Sequence, residues 1–332
     1  MRWTHPLRLT AVAAVLAVAV SACGVTDDGG SGGKADSISG DQIMVPNSPG
    51  GGYDTTARTA AAVIESEKIA DDVEVFNLEG AGGTVGLARL VNEKGNGELS
   101  MMMGLGVVGA SYTNETKASL KDTTPIARLI EEPGAIIVSK DSPFKTVGDL
   151  VAAWRKDPGS LTVGGGSSPG GPDHLLPMQL ADAAGIDPKK VNFVTYDGGG
   201  DLLPAILGNK IDFATSGAGE FLDQIASGSL RVLATTGEER LEAVPDAPTL
   251  KESDIDLVFT NWRGIVAPPG ISKSAKQAWI DALEKMHDSA GWEKALTDNG
   301  WTDAFETGDD FATFLHEQDA RVADTLKALG LA

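Results

Sequence analysis

The chain has 332 residues, of which 42% are apolar, so it is long enough for two domains with hydrophobic cores of their own. Its 47 Asp and Glu residues against 27 Lys and Arg give a formal net charge of −20, which argues against nucleic acid and anionic membrane surfaces as partners bound through bulk charge. A single cysteine excludes an intrachain disulfide, and the four histidines show no metal-ligand spacing, so we expect neither a metal nor a cofactor.

The first forty residues predict a secretion signal and a lipid anchor. Arg2 and Arg8 accompany an apolar run over 11–20, which is too short to span a bilayer. The run ends in Val-Ser-Ala-Cys, which resembles a bacterial lipobox, in which the cysteine, here Cys23, becomes the lipid-bearing first residue. We expect a signal peptide over 1–22 and a flexible, Gly/Ser-rich tether over 23–40. The alternative is an ordinary signal peptide with a chance cysteine.

A strand, a glycine loop and a helix are predicted at the start of the remaining chain. The apolar run Ile43–Val45 stops at two prolines, and Gly50–Gly52 allow positive φ and close approach of the backbone to a ligand. Apolar residues at 57, 60, 61 and 64 mark the helix that follows. The free N–H groups and the dipole at such a helix start make a site for an anion; the alternative is a tight turn that binds nothing.

The same plan recurs along the chain. Further strands are predicted over 73–76, 99–103, 135–138, 161–163, 191–194, 211–214 and 230–234. Helices are predicted over 84–91 and 146–154, from 172 and after 200, and over 272–287 and 311–329. Strands that alternate with helices indicate an α/β fold with a largely parallel sheet.

Two enzyme motifs occur, and both are weak. The G-x-G-x-x-G at 104–109 lacks the βαβ context and the acidic residue of a dinucleotide site. The G-x-S-x-G at 166–170 would make Ser168 a nucleophile, but Pro169 follows it and has no N–H for an oxyanion hole. Neither motif favours an enzyme.

Taken together, the glycine loops resemble the solute-binding proteins of tripartite tricarboxylate transporters, the Bug or TctC-like family. The most specific part is Pro46-x-x-Pro49-Gly50-Gly51-x-x-Asp54-x-x-x-Arg58, and matching segments follow at 77–86, 142–150, 196–199, 208–212 and 267–270. The resemblance covers most of 41–305. Tyr53, Asp197 and the segment 96–99 depart from the family's usual residues, which affects the identity of the ligand more than the fold.

The resemblance implies an α/β fold of two lobes, a periplasmic-binding-protein-like Venus flytrap of type II-like topology, with C-terminal helices that return to lobe one. Lobe one would comprise 41–138 plus 262–332, and lobe two 139–261. Closure around the ligand would use hinges at the crossovers near 139 and 261.

The resemblance also implies which residues face the ligand, since the family grips a carboxylate through backbone groups of facing loops and bridging waters. Lobe one would present Ser48, Pro49, Gly50, Gly51, Tyr53, Asp54, Gly80, Ala81, Gly82, Gly83 and Thr84. Lobe two would present Gly166, Ser167, Ser168, Gly170, His174, Tyr196, Gly198, Gly199, Ser216 and Gly217.

Three polar residues near these loops have two interpretations each. Asp54 and Arg58, at i and i+4, either pair on the helix surface or contact the ligand. Pairing is favoured because the loop backbone already supplies an anion site. For His174, ligand contact and a capping or packing role are equally supported.

The sequence therefore predicts a monomeric binding protein, lipid-anchored on the outer face of a bacterial cytoplasmic membrane. It would capture a small organic anion, a carboxylate with tricarboxylates among the candidates, and deliver it to integral membrane permease subunits without changing it chemically. One rival is a sensor for a signalling system. The other is a secreted serine hydrolase that uses Ser168.

Overall fold

Two β-sheets that share one long strand form the framework of the computed structural model, which describes residues 37–196 and 198–331. The strands are β1 (Gln42–Val45), β2 (Glu74–Asn77), β3 (Leu99–Gly104), β4 (Thr124–Ser139), β5 (Thr162–Gly165), β6 (Asn192–Thr195), β7 (Phe213–Gly217), β8 (Leu230–Thr235), β9 (Thr260–Ala267) and β10 (Thr302–Thr307). The helices are α1 (Gly52–Ser66), α2 (Thr84–Asn92), α3 (Leu105–Thr113), α4 (Val147–Lys156), α5 (Pro172–Ala183), α6 (Gly199–Leu207), α7 (Leu222–Ala226), α8 (Lys273–His287), α9 (Ala290–Asn299) and α10 (Gly308–Leu329).

The first four strands of the two sheets follow the same order. In the first sheet the order is β2-β1-β3-β9-β4, and β10 pairs with the free side of β4. In the second sheet it is β6-β5-β7-β4, and β8 pairs with the free side of β4. In both sheets three parallel strands are followed by one antiparallel strand, which is β9 in the first and β4 in the second. The prediction of a two-lobed, type II-like α/β fold is confirmed.

Strand β4 belongs to both sheets and changes partners in its middle. Pro133 is the last residue paired with β9, and Gly134 is the first paired with β7. The change therefore falls five residues before the boundary at 138/139 that we predicted. The sequence indicated a strand only over 135–138, because two prolines and the pair Glu131-Glu132 make the preceding residues look like a loop.

The C-terminal helices pack back onto the first sheet, as predicted. Trp279 of α8 and Trp292 of α9 are fully buried, in a cluster that also contains Ile43 of β1 and residues of α1. In α10, Phe311 and Leu326 are buried in a second cluster, which continues into the second lobe through Ile136 of β4. A third cluster lies between the second sheet and α6, and it includes Leu230 of β8.

Among the elements that the sequence analysis missed are α3, α9, β9 and β10. Helix α3 is apolar nearly all round, so it shows no helical periodicity, and its first residues overlap the G-x-G-x-x-G segment. Strand β9 carries a charged residue in the middle of an apolar run. These features make both segments ambiguous when only local pattern is considered.

The folded part of the chain begins before residue 41. Ile38, in the predicted tether, is 1% exposed and belongs to the first-lobe core, and the Gly40 N–H donates to the Asp71 carbonyl at 3.0 Å. The last residues of the tether are therefore part of the domain. The signal peptide, Cys23 and Asp197 lie outside the described residues. Within 37–196 and 198–331, no helix is both long and apolar enough to cross a membrane.

Candidate functional site

The loop after β1 and the loop after β5 are two copies of one structure. Both read Ser-Pro-Gly-Gly, at 48–51 and 168–171. Gly50 and Gly170 have φ of +84° and +85°, values that favour glycine. The following glycines cap the helices with nearly identical dihedrals, φ −77° and ψ 171° in the first and φ −79° and ψ 172° in the second. Each lobe thus presents the same turn at the carboxyl end of its first strand.

In each copy, a side chain from the first turn of the helix reaches back to the loop. The Asp54 carboxylate accepts from the Gly50 N–H at 2.9 Å, and His174 Nδ1 accepts from the Gly170 N–H at 3.1 Å. The Asp54 carboxylate also accepts from Arg58 Nε and from Asn77 Nδ2, each at 2.9 Å. Burial opposes ionisation of Asp54, but these hydrogen bonds outweigh it and hold its pKa below the usual range. Asp54 and Arg58 therefore support the loop, which is the interpretation that the sequence favoured.

His174 has the same supporting role in lobe two. It is 7% exposed, and its ring meets Phe193 edge-on with centroids 4.8 Å apart. Burial lowers its pKa, so the ring is neutral at pH 7, and Nδ1 is the acceptor. Its acceptor nitrogen is bound to the backbone rather than to Ser168, so the residues needed to activate that serine are not assembled.

The two helix starts differ in how many N–H groups they leave free. At α1, none of the N–H groups of Gly52, Tyr53 and Asp54 has an acceptor among the described residues. At α5, Pro172 has no N–H, the Asp173 N–H donates to Ser167 Oγ at 2.9 Å, and the His174 N–H donates to the Gly171 carbonyl at 3.1 Å. Only the lobe-one copy keeps donors for an anion. The loop there, 48–52, is exposed.

Tyr53 lies under this loop and is uncharged. Its Oη accepts from the Gly106 N–H at 3.1 Å, and burial raises its pKa to about 12. The ring lies against Gly104, where β3 ends. Tyr53 therefore ties the first loop to the start of α3.

A cavity of about 400 Å³ brings predicted residues of both lobes together. Its lining consists of Ala81, Gly82, Ala110, Thr113, Asn114, Ser168, Pro169 and Leu331. The loop 80–84 is held open here by side chains, since Thr84 Oγ1 and Asn114 Nδ2 both donate to the Ala81 carbonyl at 2.9 Å. Gly80 and Gly83 belong to the same loop, and Gly83 and Thr84 are buried.

The lobes touch where α3 meets the second loop. A Cβ at Gly109 would overlap the carbonyl oxygen of Gly170, so the backbones are in direct contact. Thr113 Oγ1 lies 3.4 Å from the Pro169 carbonyl oxygen. Gly109, the last glycine of the G-x-G-x-x-G motif, therefore allows the two lobes to pack closely.

The other predicted residues of lobe two have mixed surroundings. Ser216 is buried, and its Oγ donates to Glu220 Oε1 at 3.3 Å. The Tyr196 ring lies against Gly164 and the core of the second sheet. Gly166 lies against the backbone of Gly198, whose N–H donates to the Gly166 carbonyl.

Four charged residues converge between the sheets, and sequence reasoning did not place them in the site: Glu132 of β4, Asp173 of α5, Glu220 after β7 and Arg263 of β9. Arg263 Nη2 donates to Glu132 Oε2 at 2.5 Å. The Arg263 guanidinium lies against Gly52, so a Cβ there would collide with it. In the same way, the Glu132 carboxylate lies against Gly217 and the Glu220 carboxylate against Gly199. These contacts form a line of charges from the first loop of lobe one to the loops of lobe two.

Two of the carboxyl groups, those of Asp173 and Glu220, have raised pKa values. Burial raises the pKa of Asp173 well above its usual range, and Glu220 and Glu132 add to this effect. Partial burial raises the pKa of Glu220, again with a contribution from Glu132, while Arg263 lowers both. A single positive side chain is too little to balance the group. The available sequence signal was Arg263, a single charge inside the apolar run 262–267.

Comparison with protein families gives one match over most of the chain. A model of the family described as tripartite tricarboxylate transporter family receptor matches residues 56–331. A UPF0065 protein of Agrobacterium vitis is 30% identical over 245 residues, which are 73% of this chain and 69% of the relative. A UPF0065 protein of Cupriavidus necator is 28% identical over 294 residues, 88% of each chain.

Solved structures give the same fold. A TctC solute-binding protein from Polaromonas, without ligand, has a TM-score of 0.71 at 28% identity and covers 86% of this chain and 97% of its own. Two Rhodopseudomonas palustris proteins are similar in fold. MatC with bound malate has a TM-score of 0.72 at 24% identity, over 86% of this chain and 98% of its own. A protein with adipate has a TM-score of 0.75 at 20% identity, over 87% of this chain and 97% of its own.

Proposed function

Because the chain belongs to the tripartite tricarboxylate transporter receptor family, we propose that it is an extracytoplasmic lipoprotein that binds a small carboxylate between its two lobes. It hands this ligand to the membrane permease subunits of a transporter. The observation that carries the proposal is the exposed loop 48–52, where three backbone N–H groups at the start of α1 have no acceptor among the described residues. Such a helix start binds carboxylates without a dedicated cation.

The site supports binding rather than catalysis. The Arg263 guanidinium lies beside the same helix start and adds positive charge where a carboxylate would sit. The polar side chains of His174 and Asp54 accept hydrogen bonds from the loop backbone and so hold the loops in place. Malate and adipate are bound by two proteins of this fold, which supports a small carboxylate as the ligand class.

A ligand panel tests the proposal directly. The protein should begin at Gly24, since a start at 41 would remove the buried Ile38. Malate, adipate, citrate and succinate are compared by thermal shift and titration calorimetry. A carboxylate present at 100 times its Kd should stabilise the fold by about 2.7 kcal/mol. Failure of every carboxylate to bind, with a neutral sugar or amine binding instead, contradicts the proposal.

The lipid anchor is tested by its cysteine. If Cys23 carries the lipid, Cys23→Ser should move the protein from the membrane fraction to the soluble secreted fraction. The natural sequence, treated in the same way, is the control. An unchanged distribution between the fractions contradicts the anchor and leaves the binding proposal intact.

A further inference from the structure

We propose that the ligand is a zwitterion, a small carboxylate that also bears an ammonium group, held with its carboxylate toward lobe one and its ammonium toward lobe two. This inference rests on the proposed function and names the class of ligand within the same cleft. It follows from the unequal charge of the two faces.

The lobe-one face offers free hydrogen-bond donors. The three free N–H groups at the start of α1 lie beside the Arg263 guanidinium. Arg263 donates to Glu132 through Nη2 and to Thr56 Oγ1, at 3.3 Å, through Nη1. These two bonds use only two of its five N–H donors. A carboxylate placed here would therefore meet both backbone and guanidinium donors.

The lobe-two face offers no equivalent place for a second carboxylate. The matching helix start, at α5, has its N–H groups occupied by Ser167 and Gly171 or replaced by a proline. Within its duplicated loop, Gly170 is buried against α3 at Gly109. This helix start therefore has no free N–H groups for the far end of a dicarboxylate.

Carboxylates occupy the corresponding region of lobe two. Glu220 is exposed, and its one hydrogen bond to a side chain among the described residues comes from the neutral Ser216 hydroxyl. Asp173 accepts from the Gly166 N–H at 2.9 Å. A second ligand carboxylate would be repelled by the Glu220 carboxylate, whereas an ammonium group brings the positive charge that this face lacks. Its three donors suit acceptors that have few partners.

Matched ligand pairs distinguish a zwitterionic ligand from a dicarboxylate. In each pair the methylene chain is the same and one carboxylate is replaced by an ammonium group: succinate with β-alanine, and adipate with 5-aminopentanoate. Calorimetry on the protein from Gly24 onward gives the affinity of each. We expect the ammonium member to bind about tenfold or more tightly in at least one pair. If the diacids bind more tightly in all pairs, the inference is wrong while the proposed function stands. If no compound of either series binds, both fail.

Substitution of Glu220 tests whether its carboxylate causes the preference for an ammonium group. Glu220→Gln should reduce the preference for the ammonium member about tenfold. Glu220→Asp, which keeps the charge, should retain part of it. Asp223→Asn, an equal loss of charge at an exposed position on α7, is the matched control and should leave the preference unchanged. Circular dichroism confirms that the variants fold. An unchanged preference in Glu220→Gln overturns the assignment.

Discussion

The Asp54 carboxylate holds the lobe-one loop in place, and its effect on stability should depend on pH. Its pKa is lowered in the folded protein, so the ionised form contributes stability above the unfolded-state pKa, near 3.8, and this is lost as pH falls through the lowered folded-state value. We expect Asp54→Asn to reduce the free energy of unfolding at pH 7 by about 1–3 kcal/mol. Urea denaturation at pH 7 and pH 3 measures the difference, which should narrow at the lower pH. A difference independent of pH would contradict this role.

Gly51 allows the loop backbone to be tested without disturbing its shape. Its φ is negative, and a Cβ would have only the Ser48 carbonyl nearby, at 3.6 Å. Gly51→Val should therefore fold normally and weaken carboxylate binding about tenfold or more, because the new side chain covers the free N–H groups. Titration calorimetry measures the loss. Unaltered affinity, together with a normal circular dichroism spectrum, would remove this loop from the site.

Gly82 would be a poor choice for the same test. Its φ is +65°, and a Cβ would lie 2.7 Å from that of Ala110. A substitution at Gly82 would strain the backbone and would also clash with Ala110. A loss of binding in that variant would not distinguish misfolding from loss of the site, so Gly51 is the informative position.

At the scale of helices and loops, the contact of α3 with the second loop fixes the distance between the lobes. Gly109→Ala places a methyl group where the Gly170 carbonyl oxygen lies. We expect the free energy of unfolding to fall by about 1–3 kcal/mol, as in overpacked cores, and the radius of gyration to rise as the lobes separate. Chemical denaturation and small-angle X-ray scattering measure the two effects.

Gly200→Ala is the matched control, because it also lies in a helix and has no atom within 4 Å of its added Cβ. Alanine is the better helix former, so this variant should be neutral or more stable by about 0.5–1 kcal/mol. If both variants were equally stable, the contact between α3 and the loop would have no energetic weight.

Elements whose signals are local could be predicted from the sequence. The glycine loops lie at strand-to-helix junctions as expected, and the Asp54–Arg58 pair, four residues apart, follows from helical spacing. The line of charges could not be found in this way. Glu132 and Arg263 are 131 residues apart and meet only because β4 and β9 pair. Such pairs depend on sheet register, which local pattern leaves open.

At the scale of the whole molecule, the position where the chain crosses between lobes was predicted only approximately. The sequence put the first crossover near 139, whereas β4 changes sheets between Pro133 and Gly134. The prolines that hide this strand from sequence analysis are tolerated because its pairing shifts register beside Pro125 and changes partner at Pro133. Glu132, which binds Arg263, immediately precedes this point. The charges of the cleft therefore lie next to the place where the lobes join.

The shared strand also has a consequence for how the chain acquires its structure. All four partners of β4, namely β7, β8, β9 and β10, follow it in the sequence, and the first sheet is not complete until β10 has been made. Because β4 is a strand of both sheets, folding should be cooperative, with neither lobe persisting as an independent intermediate. We expect differential scanning calorimetry to give one heat-absorption peak whose calorimetric and van't Hoff enthalpies agree. Two resolved peaks would mean that each lobe retains its structure alone. A chain whose first sheet is completed only near the end of synthesis remains unfolded for longer while it is being made.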